Sequence, residues 1–321
     1  MKRYDFSDMN LTPRMCVVNS RSECKTSTVF GPHTFNLPVV PANMECVISD
    51  DLAFKMAQAG YFYIHHRFSV DTLAFAKRMA AAGLIISISV GVNDECLETL
   101  EMLNQNSLVP DYITIDIAHG HCIKMQRTIR WVKEIFKTGK QPFIIAGNVS
   151  TPDAVRDLES WGADAIKVGI GPGSACTTYV ATGFGSRNIQ ASVVAECAQA
   201  RSKPTTKIVA DGGIKEPGDI AKALVLGADM VMIGGMFSAL TDSPGETVGG
   251  TDGRLYKEFW GSASAFQSGK KTRIEGTKKL LLMKHHGMLD EMNYIKECVQ
   301  SAISYGGGAD LACFKEVQII V

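Results

Sequence analysis

Short apolar runs separated by amphipathic segments recur along the first three-quarters of the chain. The runs begin at residues 37 (LPVVPANM), 61 (YFYIHH), 85 (IISISVG), 112 (YITIDIA), 141 (QPFIIAGNV), 164 (DAIKVGI), 207 (KIVADGGI) and 229 (DMVMIGG). Each is apolar almost without interruption, the pattern of a parallel strand covered on both faces. The stretches between them read as helices, at Asp50–Ala59, Val70–Ala82 and Cys122–Lys137. Thr151-Pro152-Asp153 offers a helix start, with Thr151 as N-cap and Pro152 in the first turn. Eight strands alternating with helices predict an α/β fold, a (β/α)8 TIM barrel with its core at about 37–235. A doubly wound open sheet is the alternative.

The strand starts lie 22–29 residues apart, except for an interval of 43 between the sixth and the seventh. A connection that long inside a compact domain is usually functional, and barrels build their sites from loops at the carboxyl ends of strands. After the eighth strand, Thr241–Arg254 is rich in Gly, Thr and Asp and reads as an exposed loop. A basic run, 270-KKTR, follows and reads as a solvated loop, not a nucleic-acid patch. The chain is taken as one catalytic domain, 1–321, with a flap and C-terminal extension at about 241–321 that ends in the strand VQIIV. Residues before 37 and after the barrel are expected to form a lid and a subunit surface.

Charge and composition narrow the classes. The 321 residues carry 33 Lys+Arg against 33 Asp+Glu, so a nucleic-acid or membrane-surface partner is not expected. Two uncharged stretches, Thr26–Met44 and Val168–Ser186, contain three prolines and five glycines respectively, which disfavours a membrane helix. The first ten residues lack the apolar run of a signal peptide. Nine scattered cysteines suit reduced thiols and a cytoplasmic protein. The fourteen methionines read as core packing.

The long loop reads 167-KVGIGPGSACTTYVATGFGSRNIQ. Gly169, Gly171 and Gly173 permit close backbone approach to a ligand, and Cys176 beside them suits attack on an electrophilic carbon, whereas the other cysteines read as small buried hydrophobes. The seventh and eighth strands end in Asp211-Gly212-Gly213 and Gly234-Gly235, where many barrels bind phosphate on backbone amides; Asp211 is placed for ribose hydroxyls. His65 and His66, adjacent at a strand end, should point to opposite faces and share no ion, and with His119 and His121 they read as polar cleft lining.

The segment IKVGIGPGSACTT…TGFG, followed by ADGGI, PGDIAKAL and GGMF, resembles the IMP dehydrogenase/GMP reductase family. The segments 5-DFSDMNLTP, 146-AGNV, 261-GSAS and 275-EG carry the resemblance from end to end. The lack of a regulatory domain pair between early strands, and Glu275 in place of an Arg-Tyr pair, resemble the compact bacterial reductase branch. The resemblance implies NADPH-dependent reductive deamination of GMP to IMP, in purine interconversion. In it Cys176 forms a thioimidate with the purine, and Thr178 with Glu275 protonates the departing amine. It implies nucleotide contacts from Ser174, Asp211, Gly212, Gly213, Gly234, Gly235, Met236, Ser262 and Gly276. It places the nicotinamide near Asp116, Ala118 and Asn148, with Ser301 and Tyr305 reaching the cofactor of a neighbouring subunit in a homotetramer. A monovalent cation such as K⁺ on the carbonyls of Gly169, Gly171 and Cys176 is also implied. Departures are Thr272 and Arg273 near the glutamate, and 186-SRNIQ after the cysteine loop. The alternatives are an IMP dehydrogenase without its regulatory domain and a catalytically silent barrel that binds a purine nucleotide.

Overall fold

The computed structural model describes residues 3–269, 272 and 274–321. A short strand β1 (Asn10–Leu11) is followed by a hairpin of β2 (Thr28–Phe30) and β3 (His33–Phe35). Seven strands then form one parallel sheet: β4 (Val39–Pro41), β5 (Ser87–Val90), β6 (Tyr112–Asp116), β7 (Phe143–Val149), β8 (Ala165–Val168), β9 (Lys207–Asp211) and β10 (Met230–Ile233). Their order is β4-β10-β9-β8-β7-β6-β5, so the first strand pairs with the last and the sheet curls around its own core. This is the TIM-barrel-like architecture that the spacing predicts.

The expected second strand, 61–66, occupies its place but among the described residues makes a single ladder contact, a parallel bridge from His65 to Ile88. Side chains take over the pairing. The Tyr63 hydroxyl donates to the Ile85 carbonyl at 2.6 Å and accepts from the Ser87 amide at 3.1 Å. Ser89 Oγ donates to the His65 carbonyl at 2.7 Å. Phe62 and Ile64 are buried in the barrel interior with Val40, Ile145 and Val209, so the segment still fills its position in the wall.

The hairpin β2–β3 does not serve as part of a lid. Phe30 packs on Phe62 and Phe143, each at 5.3 Å between ring centres, and Phe35 on Phe62 at 4.9 Å. The Tyr112 hydroxyl donates to the Phe30 carbonyl at 2.5 Å. Tyr112 and Phe143 are the first residues of β6 and β7, so these rings plug the amino end of the barrel. Burying such aromatic surface offers more than a polar lid residue would gain, which is why this part of the early segment goes to the bottom.

Helices cover the sheet at Asp50–Gln58, Thr72–Ala81 and Ile123–Ile135, within one or two residues of the sequence reading, and at Pro152–Trp161, which starts where that reading places it. Thr151 caps the last of these, accepting from the Ala154 amide at 3.3 Å. Beyond the barrel, β11 (Thr247–Gly249), β12 (Leu255–Trp260) and β13 (Lys278–Leu282) form an antiparallel sheet. Thr241–Arg254, expected as a loop, therefore contains a strand. Gly250 to Arg254 turn the chain, with the Gly250 amide donating to the Arg254 carbonyl at 2.7 Å. The long helix Met288–Tyr305 packs on the helix Pro217–Val225, and β14 (Ile319–Ile320) pairs with β1. All nine cysteines are free thiols. Among the described residues no helix is long and apolar enough to cross a membrane.

Candidate active site

The carboxyl ends of the strands open into a cavity of about 590 Å³. Asp116 enters it from the end of β6, Asn148 from β7, the glycine-rich loop from β8 and Asp211 from β9, with Gly234 and Gly235 after β10. The flap covers it with Ser262 and Glu275.

Backbone pairing ties the cysteine loop to the flap. Cys176 forms an antiparallel bridge with Gly276, the Thr177 amide donates to the Glu275 carbonyl at 2.9 Å, and the Thr277 amide donates to the Ala175 carbonyl at 2.8 Å. On the flap side the Glu275 amide donates to the Ala263 carbonyl at 3.1 Å, and Gly276 bridges Ser264. This brings together residues 97 apart in sequence: Thr178 Oγ1 donates to Glu275 Oε2 at 2.7 Å, and Cys176 Sγ donates to Thr178 Oγ1 at 3.2 Å. A thiol, a hydroxyl and a carboxylate thus form one proton-carrying chain on the cavity wall. Gly169 makes the loop possible. Its φ is +148°, and a side chain there would overlap the Asp211 carbonyl.

The cavity floor is charged. Lys167 is 3% exposed, and its Nζ lies 2.8 Å from Asp116 Oδ1 and 2.7 Å from Asp211 Oδ2. Asn148 Nδ2 donates to Asp211 Oδ2 at 2.7 Å and to the Gly169 carbonyl at 2.6 Å; Asn43 Nδ2 donates to Asp116 Oδ2 at 3.1 Å. Burial pushes the Asp116 carboxyl up, but Lys167, Arg67 and the Asn43 hydrogen bond outweigh it and hold the group below the usual carboxylate range. Burial alone would lower the Lys167 ammonium, and the two carboxylates more than reverse this, so it stays charged. Among the described residues, Asn148 Oδ1 and Arg67 Nε are buried here without a hydrogen-bond partner.

Cys176, Thr178, Glu275, Ser174, Asp211, Gly212, Gly213, Gly234, Gly235, Met236 and Ser262 line this one cavity. So do Asp116, Ala118, Asn148, Gly169 and Gly171. Gly276 sits behind the wall, paired with Cys176. Ser301 and Tyr305 lie elsewhere, on the terminal helix, where Arg21 donates to Ser301 Oγ at 2.8 Å and stacks 5.7 Å from the Tyr305 ring centre. Of the carbonyls named for a cation, that of Gly169 is already taken by Asn148. Lys270, Lys271 and Arg273 of the basic run lie outside the described residues. The histidine reading needs correction: the His65 and His66 rings stack at 5.2 Å and 28°, because the segment is not a regular strand. Neither lines the cavity. His65 is buried against Phe75 at 3.8 Å and bonds Asp50 at 2.8 Å. Among the described residues no group of three His, Cys, Asp or Glu side chains is arranged for a metal.

Sequence reasoning missed Lys167, Arg67, Asn43 and Gln190. The signal for Lys167 was a lone charge inside an otherwise apolar strand. Gln190 is fully buried and donates to the carbonyls of Val168 at 2.9 Å and Asp211 at 3.2 Å, joining the ends of β8 and β9.

The family model for the IMP dehydrogenase / GMP reductase domain matches residues 3–318. The chain belongs to that family. Within it, the chain is 48% identical over 321 residues to a Mesoplasma florum protein named GMP reductase, covering 100% of this chain and 98% of the relative. It is 49% identical over 320 residues to the GMP reductase of Bacillus subtilis, covering 99% and 95% of the two chains. The GMP reductase of Staphylococcus epidermidis is 49% identical over 323 residues, at 100% and 97% coverage. The family match thus embraces both the barrel and the flap that carries Glu275.

Proposed function

We propose that the chain is a GMP reductase that converts GMP to IMP and ammonia at the expense of NADPH, in the interconversion of purine nucleotides. The observation that carries this reading is the hydrogen-bonded chain from Cys176 through Thr178 to Glu275. The three relatives bearing that name support it over at least 95% of their length.

In this reading the Cys176 thiolate adds to C2 of the purine, and the exocyclic amine departs as ammonia, leaving a thioimidate on sulfur. An amine leaves readily only when protonated, and Thr178, bonded to Glu275, stands next to the sulfur to relay that proton; a positioned acid is worth roughly 10²–10⁴ in rate. When bound, the nicotinamide cofactor supplies a hydride to C2. The C–S bond then breaks, returning the electron pair to Cys176 and releasing IMP. Asp211 accepts from the ribose hydroxyls, Ser174 and the amides of Gly212, Gly213, Gly234 and Gly235 hold the phosphate, and Met236 and Ser262 border the base, with Gly276 backing that wall through its pairing with Cys176. The residues fit the cofactor's carboxamide: among the described residues Asn148 Oδ1 is a buried acceptor without a donor, in the same cavity as Asp116 and Ala118. Ser301 and Tyr305 are assigned to a neighbouring subunit's cofactor in a cytoplasmic homotetramer.

The test is a spectrophotometric assay of the purified chain. Loss of NADPH absorbance on adding GMP, with ammonia released one for one, is the expected result. Reduction of NAD⁺ on adding IMP, with no reaction of GMP, would overturn the reading in favour of a dehydrogenase; binding without either turnover would make the chain a nucleotide sensor.

A further inference from the structure

Lys167 has no part in the chemistry above, yet it occupies the centre of the site. It sits on β8 in register with Gly147 of β7, which in turn is in register with Asp116 of β6. To reach Asp116 the lysine must therefore cross the whole of β7. Gly147 leaves the space: a Cβ there would overlap the Lys167 Cβ and lie 2.8 Å from the Lys167 carbonyl oxygen. On its other side the same ammonium reaches Asp211, at the end of the next strand.

We propose that Lys167 is a positioning residue that couples the two halves of the cavity, holding Asp116 on the cofactor side and Asp211 on the ribose side through one shared ammonium. The inference rests on the functional reading above, which assigns those two carboxylates to different ligands. A lysine ammonium is a single point charge with three donors. Two of its donors face carboxylates that are themselves only 17% and 20% exposed and that both line the cavity. A ligand that bonds one carboxylate draws on the same oxygens that hold the ammonium. The balance of the ammonium between the two carboxylates then changes, and with it the position of the second. Asn43 steadies Asp116 and Asn148 steadies Asp211 from either flank, so Lys167 is the group the two carboxylates have in common.

The prediction is a cross-effect, measured by calorimetric titration of the full chain with GMP and with NADPH separately. Asp116→Asn should change the GMP dissociation constant by at least about threefold, and Asp211→Asn should change that of NADPH by a similar factor. In a Lys167→Met background, adding Asp116→Asn should alter GMP binding by less than about twofold, because the connection is already cut. An ammonium that only fills a buried charge site would confine each substitution to its own ligand, and that result overturns the proposal. Should Lys167→Met fail to fold, the two single Asn variants, which keep the lysine, decide the matter alone. Wild-type binding is measured first. If neither ligand binds, the functional reading falls and takes this proposal with it; if both bind and no cross-effect appears, only the role of Lys167 falls.

Discussion

Thr178 donates its hydroxyl hydrogen to Glu275 at 2.7 Å across 97 residues of sequence. The contact exists because two backbone ladders, from Cys176 to Gly276 and from Gly276 to Ser264, clamp the flap onto the cysteine loop. The Cys176 thiol and the Glu275 carboxylate therefore come from different parts of the fold, and their relative placement depends on the flap being seated.

Cys176→Ala should abolish turnover, with kcat lowered by at least about 10³-fold, while GMP binding changes by no more than a few-fold. NADPH absorbance and equilibrium titration with GMP check the two halves of this statement. Residual activity near the wild-type level would remove the nucleophile assignment.

Glu275→Gln keeps the size of the side chain and an acceptor for Thr178 but removes the proton store. Ammonia release should slow by roughly 10²–10⁴ with a much smaller change in KM. The measurement is single-turnover ammonia production; an unchanged rate would take Glu275 out of the acid role.

Gly147→Ala places a methyl group against the backbone and Cβ of Lys167. Overpacking at so tight a site should cost roughly 1–3 kcal/mol of stability. A urea unfolding series would show this as a lower midpoint at unchanged slope. A variant as stable as the parent would mean that β7 and β8 part easily.

Acid sensitivity should report on Glu159, far from the chemistry. Burial raises its carboxyl, but hydrogen bonds from Ser202 Oγ, Thr206 Oγ1 and the amides of Ser202 and Lys203 outweigh this and bring it down to about 2. Its folded pKa lies below its unfolded one, so its contribution is complete above about pH 4.5 and is lost as pH falls toward about 2. Glu159→Gln should lower the melting temperature at neutral pH and flatten its fall across that acid window. Parallel melting curves for parent and variant throughout would contradict the assignment.

Much of this was legible in the chain. Continuous apolar runs marked the strands because both faces of a barrel wall are covered, and the 43-residue interval marked the loop that carries Cys176. What remained hidden depended on partners distant in sequence. Nothing local to YFYIHH says that the Tyr63 hydroxyl will replace ladder bonds, and the two histidines follow the resulting irregular backbone instead of alternating. Lys167 could be seen as an oddity in its strand, but its meaning depends on carboxylates at positions 116 and 211 and on the missing side chain at 147. The strand Thr247–Gly249 was hidden by composition, since Gly and Thr next to Asp look like a loop until a neighbouring strand accepts them.

Phe30 and Phe35 cap the amino end of a barrel whose interior is already packed with Phe62, Ile64, Ile145, Val209 and Met232, so the cavity stands on a solid base. The space open to a ligand therefore lies at the carboxyl ends of the strands, against the flap that bears Glu275. The flap thus does two things at once: it closes the hydrogen-bonded chain from Cys176 through Thr178, and it forms part of the wall of the cavity that chain faces.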